Sequence, residues 1–458
     1  MTLSPSLTHC RLGKSRHTVN LRRTWLRLGA GALALLTYAP MALAQEPGKD
    51  SAAKSEVLAG EEAKLEAATT KLASIREQYG LPALWAARYD LGEDKSQYRR
   101  AVRFVEGTQV IGTQQAASWN DKIHLGSCTK AMTAALVAIE LSQNESLSWQ
   151  STLAEAFPDN PEVGQSPWAG VTLASIVRHR GGLPANALWH TIQQTTKDDI
   201  LVERREVLSW LLKQTPPKQV DFEYSNTGFA ILGHILECLH EQPWEEQISE
   251  RLFLPLGIKS AGFGPPSRPD GRRQQQEDEN AAAPKQSQPH GHYVAPDVSN
   301  TLKKIGSLFG GKPTFDLSPI EVDNARPLGP AGRVHMNVDD WARFLSMFAA
   351  GEESRTAKKL GIDKDNWVAL TATGEEGNYG AGWIVVDRGW AGGKVLSHSG
   401  SNTTWHCVTW VAPNRKFFVL AATNCLHDQT GQALDDAVSE LIRRFPEVQD
   451  DAGSAAAE

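Results

Sequence analysis

Runs with the composition and alternation of strands lie near both ends of this chain and are missing from the long stretch between them, and this constrains the fold more than any other feature of the sequence. The early runs are 83–89 and 101–106, separated by a charged turn; the late ones are 382–387, 394–398, 404–411 and 417–423, the last two joined by Pro413-Asn414-Arg415-Lys416. From about 141 to 258 the pattern is helical and Trp-rich, with loops marked by Pro and Gly. Strands from distant parts of a chain bury their apolar faces by joining one sheet. The expectation is an α/β (α+β) fold: an antiparallel sheet built from both chain ends and flanked by helices, with 61–140 and 329–445 as the sheet-and-helix region and 141–328 as a mostly helical insert. Amphipathic stripes predict helices over 61–79, where Leu65, Leu72 and Ile75 align, over 338–349 and over roughly 430–445. Residues 45–60, made largely of Ala, Lys, Glu and Gly, read as a mobile linker. The low apolar content of 264–300 reads as a surface excursion, and 446–458 as a disordered tail.

Residues 1–44 read as an export leader. Arg22-Arg23-Thr24-Trp25-Leu26-Arg27 precedes an apolar stretch over 28–43, and Ala42-Leu43-Ala44 is a small-residue cleavage site before Gln45. That stretch, interrupted by Pro40, is shorter than the ~20 residues that span a bilayer. Cleavage after Ala44 and a periplasmic or secreted mature chain are therefore expected, with membrane contact only during export. The paired arginines resemble a twin-arginine signal with Trp where that signal prefers Phe. Losing the leader removes six basic residues and no acidic ones, so 47 Lys+Arg become 41 against 53 Asp+Glu, a formal charge of −12. Such an acidic surface argues against a nucleic-acid partner, which needs a basic patch. Cys128, Cys238, Cys407 and Cys425 remain without C-x-x-C spacing, which suggests neither a zinc site nor a disulfide framework.

The chemistry concentrates in Leu125-Gly126-Ser127-Cys128-Thr129-Lys130 and the small-residue run over 131–138, which predict a buried helix with Ser127 in its first turn. Positions i and i+3 share a helix face, so the hydroxyl of Ser127 and the amine of Lys130 meet in one cleft. A serine hydroxyl is a poor nucleophile until a base takes its proton, and an exposed lysine, with pKa ~10.4, is not that base. Desolvation at the head of an apolar helix lowers the pKa and frees the lone pair. Ser-x-x-Lys alone arises often by chance, so the weight falls on two further groups. Tyr224 and Asn226 precede an apolar helical run: either Tyr224 is a loop tyrosine and Asn226 a helix cap, or Tyr224 moves protons and Asn226 hydrogen-bonds a substrate. His398-Ser399-Gly400-Ser401 lies between two strand runs. Its residues are either polar strand-end residues, or Gly400 permits close approach and the Ser401 N–H points at a substrate oxygen.

Together, Ser127-Cys128-Thr129-Lys130, Tyr224-Ser225-Asn226 and His398-Ser399-Gly400 resemble, in order, the three motifs of the serine β-lactamase and penicillin-binding superfamily. The resemblance is to its class C-like branch of D,D-peptidases, D-aminopeptidases and esterases. It covers about 61–445 and is supported by the stretches 178–184, 252–258 and 329–341. It implies Ser127 as nucleophile, with Lys130 and Tyr224 sharing base and acid roles. Asn226, His398, Ser399, Gly400 and Ser401 would bind substrate, and the N–H groups of Ser127 and Ser401 would form an oxyanion hole. The implied activity is acylation of Ser127 and hydrolysis by water, on a small-molecule or short-peptide amide or ester such as cell walls supply, with no metal and no cofactor. The β-lactamases of this branch usually carry Lys where this chain has His398, which weakens the case for β-lactam turnover. Arg180-Gly181 stands beside His179 in place of Thr-Ser. The rival reading is a non-catalytic relative that binds penicillin or peptidoglycan peptides.

Three features invite other readings. Cys128 lies ~100° of helix rotation from Ser127, so it faces away from the cleft as a small buried side chain. Residues 306–313 nearly spell a phosphate loop, but Pro313 replaces the required hydroxyl. His290 and His292 fall in the Pro- and Gln-rich excursion, where an isolated His-x-His is more often solvated than metal-bound. No G-x-S-x-G or H-E-x-x-H is present.

Overall fold

The structure, a computed structural model, describes residues 49–92, 98–196, 199–219, 221–267, 287–294, 317–320, 322–374 and 377–445. The leader, the 306–313 stretch and the 446–458 tail lie outside the described residues. The chain divides into two units, Met1–Lys64 and Leu65–Glu458. The described part of the first is the start of helix α1 (Lys49–Gln78). The stretch 49–60, expected as linker, is therefore helical. Ala, Glu and Lys are strong helix formers, and a shortage of apolar residues removes a core face without making the backbone irregular.

Among the described residues, twelve strands follow in the second unit: β1 (Ala83–Leu91), β2 (Tyr98–Gly107), β3 (Lys122–His124), β4 (Gly262–Phe263), β5 (Gly291–Val294), β6 (Leu317–Ile320), β7 (Val334–Asn337), β8 (Ile384–Arg388), β9 (Gly393–Ser401), β10 (His406–Ala412), β11 (Phe417–Thr423) and β12 (Cys425–Leu426). Six of them form one sheet in the order β2-β1-β11-β10-β9-β8, antiparallel throughout. The early pair joins the late four where β1 registers on β11, with Ala86 opposite Ala421. The sheet is thus built from both chain ends, as the sequence predicts.

The longer helices are α2 (Thr129–Gln143), α3 (Ile200–Leu212), α4 (Asn226–His240), α5 (Val338–Ala349) and α6 (Thr430–Arg444), of which α5 and α6 pack directly on the sheet's strands. Strand alternation sorts the two faces. Trp85, Ala87, Phe418 and Leu420 pack into the core that contains α2, α4 and α5. Leu84, Ala86, Val419 and Ala421 pack against Leu72 and Ile75 of α1 and Leu434 and Leu441 of α6. Burial on both faces is why β11 reads Phe-Phe-Val-Leu-Ala-Ala with no polar side. Helix α5 spans the residues expected of it, and its cap is Asn337, whose side chain accepts from Asp340 N.

The 264–300 region differs from expectation. Residues 287–294 return to the protein body, where β5 pairs with β6 and with β12, and His292 is fully buried. Its Nδ1 donates to Asn424 O at 2.7 Å, which leaves Nε2 to accept from Ile111 N at 3.1 Å. The Asn424 amide in turn donates to the carbonyls of Thr108, Gln109 and His290. Apart from Val294, which packs beside Leu317, hydrogen bonds hold this segment, so its polar composition did not disclose it.

Candidate active site

β3 ends at His124, and the chain closes a single 3-10 turn, Gly126–Cys128, before α2 begins at Thr129. Ser127 therefore stands just ahead of the α-helix rather than in its first turn, because Cys128 N donates to Leu125 O at 3.0 Å and tightens the chain there. Gly126 adopts φ 47°, and a Cβ on it would lie 2.3 Å from the Ser401 nitrogen. From the opposite side, a Cβ on Gly400 would lie 2.0 Å from Leu125 O and 2.9 Å from the Ser127 nitrogen. These two glycines let β9 lie backbone against backbone on the turn Gly126–Cys128. That contact brings the main chain of Ser401 to the turn that carries Ser127.

Lys130, one helical step on, has no exposed surface. Its Nζ lies 3.2 Å from Ser127 Oγ, 2.7 Å from Asn226 Oδ1 and 2.8 Å from Ala331 O. All three partners are neutral oxygens. Desolvation, which nothing anionic among these partners offsets, pulls the amine down to about 7. A neutral amine donates two hydrogens, which suit the two shorter contacts to Asn226 and Ala331. Its lone pair is then left for the hydroxyl of Ser127.

Tyr224 faces this pair, with Lys130 Nζ 4.7 Å from its ring centroid. Its phenol interacts with Ser127 and with Tyr379, whose ring it meets edge-on at 6.1 Å. Burial raises its pKa, so it holds its proton at neutral pH. The helix cap here is Ser225, whose Oγ accepts from Gly228 N at 2.9 Å. Asn226, one of the two readings of which was a cap, is freed for the cleft: it accepts from Lys130 and donates to Asn186 Oδ1 at 2.9 Å. His179 clamps the segment, with its Nδ1 accepting from Ser225 N at 3.0 Å and its ring 4.3 Å from that of Tyr224. It does so from a left-handed backbone, φ 60°. Burial first, then Lys130 and His398, push its pKa down to about 2, so it stays neutral.

His398 turns inward, with 4 % of its surface exposed, whereas Ser399 and Ser401, on the opposite face of β9, are exposed. Its Nδ1 meets Ser399 O at 2.5 Å and its Nε2 meets Tyr379 OH at 2.9 Å. Both ring nitrogens are thus used within the protein rather than offered to the cleft. Cys128 also points away from Ser127, with its Sγ 3.7 Å from Cys407 Sγ and 3.6 Å from His398 O.

Behind the turn, a buried network braces its entry and the end of β9. His124 Nδ1 accepts from Gly126 N at 3.1 Å, and its Nε2 lies 2.9 Å from Asp323 Oδ1. Asp323 also accepts from Arg333 Nε and Asn402 Nδ2, each at 2.9 Å. His124, Arg333 and these hydrogen bonds together hold the carboxyl well below the usual range despite its burial. Sequence reasoning missed Asp323, Asn186 and Tyr379. Only Tyr379 carries a visible signal, its place among the closely spaced glycines of 377–382.

Comparisons with known proteins agree with this architecture. Penicillin-binding protein 4 of Amycolatopsis lactamdurans is 24% identical over 68% of this chain and 74% of its own. Among solved structures, SurE superposes with a TM-score of 0.61 at 16% identity, over 84% of this chain and 76% of that one. A β-lactamase/D-alanine carboxypeptidase from Pseudomonas syringae gives a TM-score of 0.61 at 15% identity, over 84% of this chain and 99% of that one. At such identities these structures speak for the fold. The family described as Beta-lactamase matches residues 64–442, most of the sequence, and to that family this chain belongs.

Proposed function

We propose that this protein is an exported serine hydrolase that acts through an acyl-enzyme on an amide or ester. Lys130 carries the reading: a fully buried amine with neutral oxygens around it, 3.2 Å from the hydroxyl it would deprotonate. In this mechanism Lys130 takes the Ser127 proton as Oγ bonds to the substrate carbonyl carbon. The N–H groups of Ser127 and Ser401 receive the oxyanion, each stabilising the transition state by ~2.7–4 kcal/mol. Tyr224 passes a proton to the departing nitrogen or oxygen as its bond to the carbonyl carbon breaks. Water then attacks the acyl-Ser127 ester, the same groups work in reverse, and the acid leaves.

The names of similar proteins, a penicillin-binding protein and a D-alanine carboxypeptidase among them, support a D,D-peptidase, D-aminopeptidase or esterase. The inward turn of His398 favours the last two, since a neutral amide or ester needs no cation for a terminal carboxylate. Fluorophosphonate labelling and turnover of a neutral chromogenic ester test the reading. Ser127→Ala should abolish both, and Cys128→Ala should abolish neither; the reverse result would move the nucleophile to the thiol. A labelled penicillin that bound Ser127 and never left, with no ester turned over, would identify a non-catalytic binder instead. Export predicts mature protein beginning at or near Gln45, and N-terminal sequencing of cytosolic protein that still carries 1–44 would refute it.

A further inference from the structure

The turn that supplies Lys130 with a carbonyl partner has a second hold on the same helix. Residues Gly329–Gly332 form a single helical turn, and a turn so short closes few hydrogen bonds of its own. Gly329 O accepts from Arg333 N at 3.3 Å. The other three carbonyls each receive a side-chain donor: Pro330 O from Thr133 Oγ1 at 2.6 Å, Ala331 O from Lys130 Nζ at 2.8 Å and Gly332 O from Asn324 Nδ2 at 2.8 Å. Lys130 and Thr133 are three residues apart on α2, so they share a face and grip successive carbonyls.

Hydroxyls inside helices commonly bond the carbonyl four residues back, as Ser142 does on the same helix, with Ala138 O at 2.8 Å. Thr133 instead spends its one hydrogen on a neighbouring element, from a position with no exposed surface. On the other side, a Cβ on Gly233 of α4 would lie 2.3 Å from Pro330 Cγ, so α4 abuts the turn. The turn is thus held to α2 by one hydroxyl and backed by α4. The consequence falls on Lys130. A neutral amine has two hydrogens, and Asn226 Oδ1 and Ala331 O take them at 2.7 and 2.8 Å. With both placed, the lone pair is confined to the direction of Ser127 Oγ. If Ala331 O drifts, one hydrogen is released and the lone pair is free to turn away.

We propose that Thr133 is a positioning residue: its grip on Pro330 O seats the Gly329–Gly332 turn so that Ala331 O orients the Lys130 amine towards Ser127. This deepens the serine-hydrolase reading and rests on it for its kinetic consequence, though not for the seating of the turn. Thr133 acts through Lys130 and does not itself titrate. The titratable side chains around Lys130 are Tyr224, whose ring centroid lies 4.7 Å from Nζ, Cys128, His179 and His398, whose ring lies 6.5 Å from that of Tyr224. All are common to parent and variants, so a difference between their pH profiles reports the amine.

The experiment compares the parent with Thr133→Val, which keeps the shape of the side chain and removes the hydroxyl, and with Thr133→Ser, which keeps the hydroxyl. With a neutral ester, kcat of Thr133→Val per fluorophosphonate-labelled site should fall about tenfold, less than the roughly 10²-fold that a full 1 Å misplacement costs. Its pH profile should move as well. The protonated amine offers three hydrogens, and an ammonium gains more from a carbonyl than a neutral amine does. Losing Ala331 O therefore penalises the cation and carries the acid limb of kcat/KM to lower pH, by about half a unit. Thr133→Ser should restore both rate and limb. A crystal structure of Thr133→Val should show Ala331 O beyond hydrogen-bonding distance of Lys130 Nζ. A rate within about twofold of the parent, a slower enzyme whose acid limb has not moved, a loss that serine does not repair, or an Ala331 O still in place would overturn the proposal. Should Thr133→Val fail to fold, Thr133→Ala carries the same readings. If fluorophosphonate fails to label the parent at Ser127, the hydrolase reading falls, and the crystal structure still decides whether Thr133 seats the turn.

Discussion

Gly400→Ala tests the central geometric feature of the site, the backbone contact between β9 and the turn that carries Ser127. The added Cβ would lie 2.0 Å from Leu125 O, 2.9 Å from Ser127 N and 3.0 Å from Cys128 N, whereas ordinary contact begins near 3.4 Å. All three obstacles are backbone atoms, so no side chain can swing aside, and the strand and turn must separate by about an ångström or more. A misplacement of about 1 Å costs on the order of 10²-fold in rate, and losing one oxyanion donor costs about 10²–10³-fold. We therefore expect kcat for a neutral ester to fall by about 10²–10³-fold. Stability should fall by about 1–3 kcal/mol, the usual cost of overpacking, with the fold retained. Gly389→Ala is the control, since a Cβ there meets nothing within 4 Å. Stopped-flow acylation and urea unfolding measure the two effects. A Gly400→Ala enzyme within about threefold of the parent in acylation rate would show that this contact does not shape the oxyanion site.

Two further outcomes follow from the charges. Lys130 must be neutral to accept a proton, and its pKa is drawn down to about 7 by desolvation, so kcat/KM for an uncharged ester should rise with pH through that region; a profile flat there in the parent would refute the role. Asp323→Asn, which is isosteric, should cost about 3–5 kcal/mol in urea unfolding, because it removes the buried carboxylate charge that Arg333 Nε and His124 Nε2 each meet at 2.9 Å, and a loss below about 1 kcal/mol would show that the network is not a brace.

What the sequence disclosed and what it withheld divide along the range of the interactions involved. The strands were legible because burial on both faces leaves runs such as Phe417–Thr423 with few alternatives. The pairing of Ser127 with Lys130 was legible because i, i+3 spacing survives the replacement of a helical turn by a 3-10 turn. Residues 49–60 and 287–294 were misread for one reason. Low apolar content reports the absence of a hydrophobic face, and neither helix propensity nor a side-chain hydrogen-bond hub such as Asn424 depends on one.

His398 shows the limit most clearly. Its motif placed it at the site, but the strand's two-residue period decides which way the ring points, and the register of Gly400 opposite Cys407 fixes that period. An imidazole on the inner face of β9 is too short to reach past Tyr379, whereas the longer, flexible chain of a lysine spans several ångströms more. Replacing that lysine with histidine therefore changes more than a charge. It puts a ring whose two nitrogens are held by Tyr379 OH and Ser399 O where a lysine would carry an amine.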